Sequence, residues 1–268
     1  MLFDSHAHYY DRRFEREYEG GADSLLARLF SSDENYYILN VGADLRSSTQ
    51  CIAQAARYPR MYAAAGIHPS DTRFCKNLAS DMDELRRLFA NGKKNKLVAL
   101  GEIGLDYHYP DTDKKKQAEY FHAQMSLAAE LGLPVIVHDR EAHGDCMAVV
   151  RAYPDVCGVF HSYSGSVEMA RELIKRGWYI SFSGTVTFKN AHRVRDVAAA
   201  LPIDSILIET DSPYLAPHPH RGQLNHSGYV GYVAETLADL HRLDFETVAE
   251  ITAQNGAKLF NIQLPDLP

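Results

Sequence analysis

Apolar residues in this chain gather in short, near-continuous runs rather than in strict alternation with polar ones. Eight runs stand out, at 2–5, 37–41, 61–66, 97–101, 134–137, 158–160, 179–183 and 205–208. A solid apolar run is what a parallel strand buried on both faces requires. Between the runs lie segments with helical punctuation. Positions 115–131 form a long helical stretch that stops at Gly132, with Pro134 beyond it. Ser166 reads as the N-cap of a helix that runs through Lys175 and ends at Gly177. Positions 246–260 carry the last helix. An eightfold alternation of strand and helix predicts an α/β fold of the (β/α)8 TIM-barrel type. The alternative is an open doubly wound sheet. That fold usually carries a glycine-rich phosphate loop after its first strand, and Asp4-Ser5-His6-Ala7-His8 stands there instead. No low-complexity linker divides the chain, so residues 1–268 are expected to form a single domain.

The length of 268 residues agrees with one such barrel, which typically takes about 250. A chain of this size buries a sufficient core without a structural metal, so any metal ligands are free to be catalytic. The net charge of −7 argues against broad electrostatic adhesion to nucleic acid or an anionic membrane. It leaves room for a phosphate substrate held locally by metals and a few Arg or Lys side chains. Cys51, Cys75, Cys146 and Cys157 are scattered, with no CxxC pair, so neither a thiolate zinc site nor a redox motif is expected. They read as reduced, buried thiols of a cytoplasmic protein. The N-terminal MLFDSHAHYYD lacks the apolar run of a secretion signal. No stretch approaches the roughly 18 apolar residues of a membrane span, and a monomer or weak oligomer is expected.

Barrel active sites form at the C-terminal ends of the strands. His6 and His8 end the first run, Gly66-Ile67-His68-Pro69 the third, and Glu102 with Asp106 the fourth. His138 and Arg140 end the fifth, His161 the sixth, and Glu209 and Asp211 the eighth. Taken singly, each has a bland reading. A lone histidine after a strand is more often a satisfied structural group than a ligand, and a lone carboxylate more often a loop charge or an ion-pair partner. The conjunction carries the argument. His6, His8, His138, His161, Glu102 and Asp211 all fall at strand ends that a barrel would place on one face. Nitrogen and carboxylate donors without thiolates suit Zn²⁺, Mn²⁺ or similar ions. Six donors exceed what one open catalytic site needs, and two ions sharing a bridging carboxylate explain the surplus.

The strings DSHAH (4–8), GIHP (66–69), GEIGLDY (101–107), PVIVHDR (134–140), GVFHSYSG (158–165), YISFSGTVTFK (179–189) and ETDSPYLAPHPHRGQLN (209–225) succeed one another nearly from end to end. In them the chain resembles the TatD family of metal-dependent hydrolases and deoxyribonucleases, within the amidohydrolase-like barrels. The resemblance implies that His6, His8, Glu102 and Asp211 bind one divalent ion. It implies that Glu102, His138 and His161 bind a second, with Glu102 bridging and Zn, Mn or Mg as the candidate metals. It places His68, Asp106 and Arg140 in the substrate pocket, and leaves Glu209 and Asn225 in matching motifs without a clear role. The chain departs from the family pattern at Ala7 and Ser162, where Cys is frequent, and at Tyr163, where Phe is usual. It also departs near Ser227, where a proline is common. The last departure bears on a loop over the site and hence on substrate preference.

The expected reaction is hydrolysis of a DNA phosphodiester by a metal-activated water. Glu102, Asp211 and His68 are its candidate catalytic residues, with Asp211 as general base. Arg140 is suited to phosphate oxygens by its planar fork. His68 either hydrogen-bonds a phosphate or leaving oxygen, or orients a metal ligand. Lys189 and Arg221 read as solvated loop charges. Tyr9, Tyr10, Tyr107 and Tyr163 lie near strand ends, where they would stack on bases or simply pack in loops. The acidic balance suits recognition of a strand end in a compact pocket, and the resemblance suggests a 3′ to 5′ exonuclease on single-stranded DNA. A small phosphate ester, lactone or amide is the alternative substrate, because barrels of one fold serve many. A non-catalytic metal-binding protein is the remaining alternative, disfavoured by the apparently complete donor set. The 71–78 stretch is a candidate lid.

Overall fold

The computed structural model describes residues 1–31, 35–90 and 94–264. Eight parallel strands pair in sequence order. They are β1 (Leu2–Ala7), β2 (Tyr36–Val41), β3 (Met61–Ala65), β4 (Leu97–Asp106), β5 (Val135–Arg140), β6 (Gly158–Phe160), β7 (Tyr179–Phe182) and β8 (Ile206–Ile208). A parallel bridge between Ala7 and Ser212 joins the last strand region to the first, and the fold is a (β/α)8 TIM barrel. The strands at 97–101 and 134–137 run further than their apolar stretches predict, to Asp106 and Arg140. Neighbouring strands supply ladder partners for the polar residues at their ends, as in the pairings of Asp106 with Arg140 and Gly104 with His138.

The helices are α1 (Arg12–Glu17), α2 (Gly21–Ser31), α3 (Leu45–Ala55), α4 (Leu78–Phe89), α5 (Lys114–Leu131), α6 (His143–Ala152), α7 (Val167–Lys175), α8 (His192–Ala200), α9 (Val230–His241) and α10 (Phe245–Phe260). The stop and start signals act as expected. Gly132 caps α5 in the left-handed region at φ 63°, and the Ser166 side chain accepts from Met169 N at the start of α7. No helix among the described residues is long and apolar enough to cross a membrane.

Two apolar layers arise from the strand alternation. Ile38, Leu100, Val137, Phe160 and Ile208 face outward into the helical ring. Phe3, Leu39, Ala64, Ala99, Ile136, Val159 and Leu207 face inward and fill the barrel. The last turns of α10 close the floor, with Phe260 against Phe3 at a ring separation of 6.1 Å. With the floor filled by side chains, only the upper rim is open to chemistry. Of the four cysteines, Cys51 and Cys146 are buried as expected, whereas Cys75 is half-buried and Cys157 is exposed; all four are free.

Candidate metal centre

Alternation along the strands explains half of the rim. Ile136, Val159 and Leu207 point into the barrel, so His138, His161 and Glu209, each two residues on, point the same way. It fails for the other half. Phe3 lies inside, and Ser5 does too, since its hydroxyl meets that of Ser181 on β7, two strands away, at 3.3 Å. Alternation would then send His6 outward. On β4, Ala99 is inside and Leu100 outside, so Glu102 should also point out. Both strands carry a register irregularity at this place, between Asp4 and Ala7 and between Leu100 and Ile103. A one-residue irregularity reverses the facing of the residues beyond it, and His6 and Glu102 turn inward. His8, two residues after His6, shares its face. Gly66 gives β4 the room, because a Cβ there would lie 2.7 Å from the carbonyl carbon of Gly101. Asp211 sits in the left-handed region at φ 55°, held where its N–H donates to His6 O at 2.9 Å.

The result is a buried cluster centred on Glu102. Its Oε1 lies 2.7 Å from His138 Nδ1 and 2.8 Å from His161 Nε2. Its Oε2 lies 3.3 Å from His6 Nε2 and 3.6 Å from His8 Nε2. Asp211 Oδ1 approaches His8 Nε2 at 3.4 Å and His6 Nε2 at 3.9 Å. The ring nitrogens of His6 and His8 are 3.0 Å apart, and those of His138 and His161 are 3.2 Å apart. Donors that share one ion at about 2.1 Å stand roughly 3.3 Å from each other; the contacts among His6, His8, Asp211 and Oε2, at 3.0–3.9 Å, have that spacing, whereas Oε1 stands at hydrogen-bond distance from His138 and His161 and must open slightly to share an ion with them. The tautomer of His8 agrees. His8 Nδ1 donates to the Val41 carbonyl at 2.8 Å, which leaves its inward Nε2 with a free lone pair. The donor set is imidazole and carboxylate, the chemistry that suits Zn²⁺ or Mn²⁺, and the residues fit a divalent metal.

The electrostatics point the same way. Burial would raise the Glu102 carboxyl, but the charges of His161, His68 and His6 and the hydrogen bond from His138 hold it well below the usual carboxylate range. Burial opposes protonation of His161, and Glu102 and Glu209 overcome it and raise its pKa well above the ordinary value. Asp211 is lowered in spite of burial, through the hydrogen bond from His8 and the neighbouring histidines. Two carboxylates in a low-dielectric pocket thus draw positive charge to themselves, which is the condition for cation binding.

Residues outside the cluster orient it. Glu209, fully buried, accepts from Ser162 N at 2.8 Å and faces His161 Nδ1 at 3.2 Å. Asn225 donates to the carbonyls of Thr210 and Tyr214, and its oxygen accepts from His226 N, which ties down the segment carrying Asp211. Asp4 accepts from Thr210 N, Thr210 Oγ1, Ser227 Oγ and His6 N. Ser227 is therefore buried beneath the site, linked to Asp4 and Tyr9, and does not belong to a loop above it. Alternation from Leu207 signals the inward facing of Glu209; no pattern in the sequence signals the Asp4 network.

His68 enters from beyond β3 with Nε2 3.4 Å from Glu102 Oε1. Its Nδ1 accepts from Ser70 N at 3.1 Å, so Nε2 carries the proton and His68 presents a donor. Asp106 is buried, and its Oδ2 faces His138 Nε2 at 3.3 Å without a well-aligned hydrogen bond. It backs a cluster histidine and does not line the open pocket. Arg140 stands exposed at the end of β5, its guanidinium 5.6 Å from the ring of Tyr109. A pocket of about 480 Å³ opens beside the cluster, bordered by His138, His161, Asp211, Arg140, Tyr163 and Tyr214. The tyrosines expected near strand ends mostly pack in loops. Tyr9 and Tyr163 are buried, and their hydroxyls bond Ser227 and the Ser166 carbonyl. Tyr10 leans edge-on against His8, and Tyr107 bonds Asp145. Arg221 lies over Phe188 at 4.5 Å, and Lys189 is exposed. The 71–78 stretch begins within a 3₁₀ helix (Pro69–Phe74), and Lys116 Nζ holds the Cys75 carbonyl at 2.7 Å.

Comparison with known proteins agrees with this geometry. The family model described as TatD related DNase matches residues 3–261. The chain is 39% identical to the uncharacterized metal-dependent hydrolase YabD of Bacillus subtilis, over 98% of this chain and 100% of that one. It is equally 39% identical to the uncharacterized metal-dependent hydrolase YcfH of Escherichia coli, over 98% of this chain and 96% of the relative. Among solved structures, the TatD homolog YJJV of Escherichia coli superposes with a TM-score of 0.87 at 28% identity, covering 98% of each chain. An amidohydrolase of Saccharomyces cerevisiae superposes at 0.82 with 18% identity, covering 97% of this chain and 99% of that one, a likeness of fold alone.

Proposed function

This chain belongs to the TatD family of metal-dependent hydrolases, and we propose that its reaction is hydrolysis of phosphodiester bonds in single-stranded DNA, stepwise from the 3′ end. The observation that carries the reading is the convergence of four histidines on the two oxygens of Glu102, with Asp211 beside His6 and His8. His6, His8, Asp211 and one oxygen of Glu102 would hold one divalent ion. The other oxygen of Glu102, with His138 and His161, would hold a second. Bound there, the ions would supply Lewis acidity toward a phosphoryl oxygen and a water acidified toward neutrality.

The remaining work falls to the side chains. Asp211 is the most exposed acid of the cluster, at 14% against 4% for Glu102, and it borders the open pocket. It takes the proton of the attacking water as general base. His68 directs its Nε2–H toward the cluster and donates to a phosphoryl oxygen or to the leaving oxygen. Arg140 grips phosphate oxygens at the pocket edge with its fork. Glu209 holds the ring of His161 in place, Asp106 backs that of His138, and neither borders the open pocket. The compact pocket and the net charge of −7 suit a strand end better than a long duplex held in a basic groove. The same compactness favours a small phosphate ester as the competing substrate.

The test is chelator-stripped protein resupplied separately with Zn²⁺, Mn²⁺, Mg²⁺ or Co²⁺, on 3′-labelled and 5′-labelled single-stranded DNA. Metal-dependent stepwise shortening from the 3′ end, absent in His6→Ala, is the expected result. Intact DNA with every ion, alongside turnover of a small ester, would move the substrate to that class.

A further inference from the structure

Among the described residues, the three most exposed large hydrophobic side chains are Phe74 at 69%, Tyr109 at 54% and Tyr214 at 43%. All three come after strand ends, those of β3, β4 and β8, and so crowd the open rim of the barrel. Single exposed apolar residues are ordinary, as Leu243 is between α9 and α10 at 38%, but three exposed rings after strand ends on the functional face mark a binding surface. Each ring also carries a guanidinium. Arg73 lies 4.6 Å from the centroid of Phe74, Arg140 5.6 Å from that of Tyr109, and Arg13 5.7 Å from that of Tyr214. Arg13 is engaged with Glu17 and the Pro213 carbonyl. Arg73 and Arg140 have no carboxylate at ion-pair distance among the described residues.

These groups form a path that leaves the cluster. His138 stands in it, Arg140 is two residues further along β5, and the Tyr109 ring lies against Arg140. Beside Tyr109 opens a pocket of about 410 Å³, bordered by Tyr109, Pro110, Pro69 and Arg73. Asp111 and Asp113 also line that pocket. Their charge disfavours a phosphate inside it and is compatible with the amino groups of a base, while Arg140 stays available to the backbone.

We propose that Tyr109, with Arg140 over its ring and with Arg73, itself packed on Phe74, lining the same pocket, is a stacking platform for an unpaired base of a single strand, one or a few nucleotides from the scissile bond. The proposal rests on the nuclease reading above and names the part of the strand that the metal cluster does not hold. A π-face accepts any base, so the platform confers single-strand preference without sequence preference. A duplex keeps its bases stacked on one another and gains nothing from it.

The experiment uses the metal-loaded full chain and a single strand with phosphorothioate linkages at its 3′ end, which slow cutting, and 2-aminopurine placed in turn at each of the last few positions. In the wild type, quenching is expected to peak at one position. Tyr109→Ala should remove that peak and weaken single-strand binding roughly 5- to 150-fold, the range for losing one stacked base. Tyr109→Phe should restore both, and turnover of bis(p-nitrophenyl) phosphate should be the same in all three proteins. Phe74→Ala should produce a smaller loss. If DNA is shortened normally but quenching and affinity are unchanged in Tyr109→Ala and Phe74→Ala, the platform is refuted and the nuclease reading stands. If the wild type shows Tyr109-dependent quenching but no ion supports cutting, the platform stands and the exonuclease reading falls. A wild type that neither binds nor quenches the strand overturns the platform outright.

Discussion

Glu209 offers the sharpest separation of metal binding from folding. It is fully buried, and its Oε1 serves both Ser162 N at 2.8 Å and His161 Nδ1 at 3.2 Å, while Oε2 has no hydrogen-bond partner. In Glu209→Gln the amide oxygen can keep both contacts, and the NH₂ group takes the place of the unpartnered Oε2. Shape and both hydrogen bonds to Oε1 survive, and one buried NH₂ group without an acceptor replaces an oxygen that had no partner either; the negative charge behind His161 is lost. Removing the partner that orients and polarises a ligating histidine typically weakens metal binding 10- to 100-fold, which is about 1.4–2.7 kcal/mol. Glu209→Ala is a different perturbation. It strands the Ser162 N–H and the His161 N–H in a dry site at about 1–3 kcal/mol each, so roughly 2–6 kcal/mol of stability is lost. Competition titration of the stripped protein with Zn²⁺ against a chromophoric chelator measures the first effect, and urea unfolding in EDTA measures the second. The Gln variant should lose affinity for one of two ions while its urea midpoint falls less than that of Glu209→Ala. Wild-type affinity for both ions in Glu209→Gln would refute the positioning role.

Glu102→Ala should abolish hydrolysis and lower metal content together, read by activity and by elemental analysis of the same sample; full occupancy in that variant would remove the bridging role. Ser227→Ala deletes the 2.6 Å hydrogen bond to Asp4 and the acceptor of the Tyr9 hydroxyl. It should cost about 1–3 kcal/mol in urea unfolding, and a change within experimental error would show that the buried network is not stabilising. Gly256→Ala would set a Cβ 2.3 Å from the Phe3 ring at the barrel floor. The overpacking of about 1–3 kcal/mol outweighs the roughly 1 kcal/mol of helix propensity gained, so the variant should melt lower, and a stabilised variant would contradict the tight floor. Burial, helped by the charges of Arg28 and His220, lowers the His226 pKa from 6.5 to about 4. The native state therefore refuses a proton that the unfolded chain accepts, and stability is lost as pH falls from 6.5 toward 4. The urea-derived stability difference between wild type and His226→Asn should shift by about 2 kcal/mol between pH 7.5 and pH 5, with wild type losing more; a pH-independent difference would mean that His226 titrates normally.

Much of this protein is legible in its sequence, because some of its signals are local. Solid apolar runs mark strands buried on both faces, and Ser166 and Gly132 start and stop helices through their own backbone chemistry. Eight repeats of that alternation leave little besides a barrel. The inward facing of His138, His161 and Glu209 can also be counted along the strands from Ile136, Val159 and Leu207. Other features exist only once the barrel is closed. Counting along β1 and β4 turns His6 and Glu102 the wrong way, since the irregularities that redirect them arise from pairing with neighbouring strands. Ser227 reads from sequence as part of a loop over the site, yet chain closure carries it beneath, to an Asp4 more than two hundred residues away. Asp106 is likewise drawn to His138 by the register of β4 on β5. Tyr9 and Tyr163 look as available as Tyr109 in a string of letters, and only packing decides which ring meets solvent. The physical division is one of range. Hydrophobic period and capping act within a few residues, whereas facing after an irregularity, burial of a charge and convergence of ligands depend on chain segments that only the tertiary fold brings together.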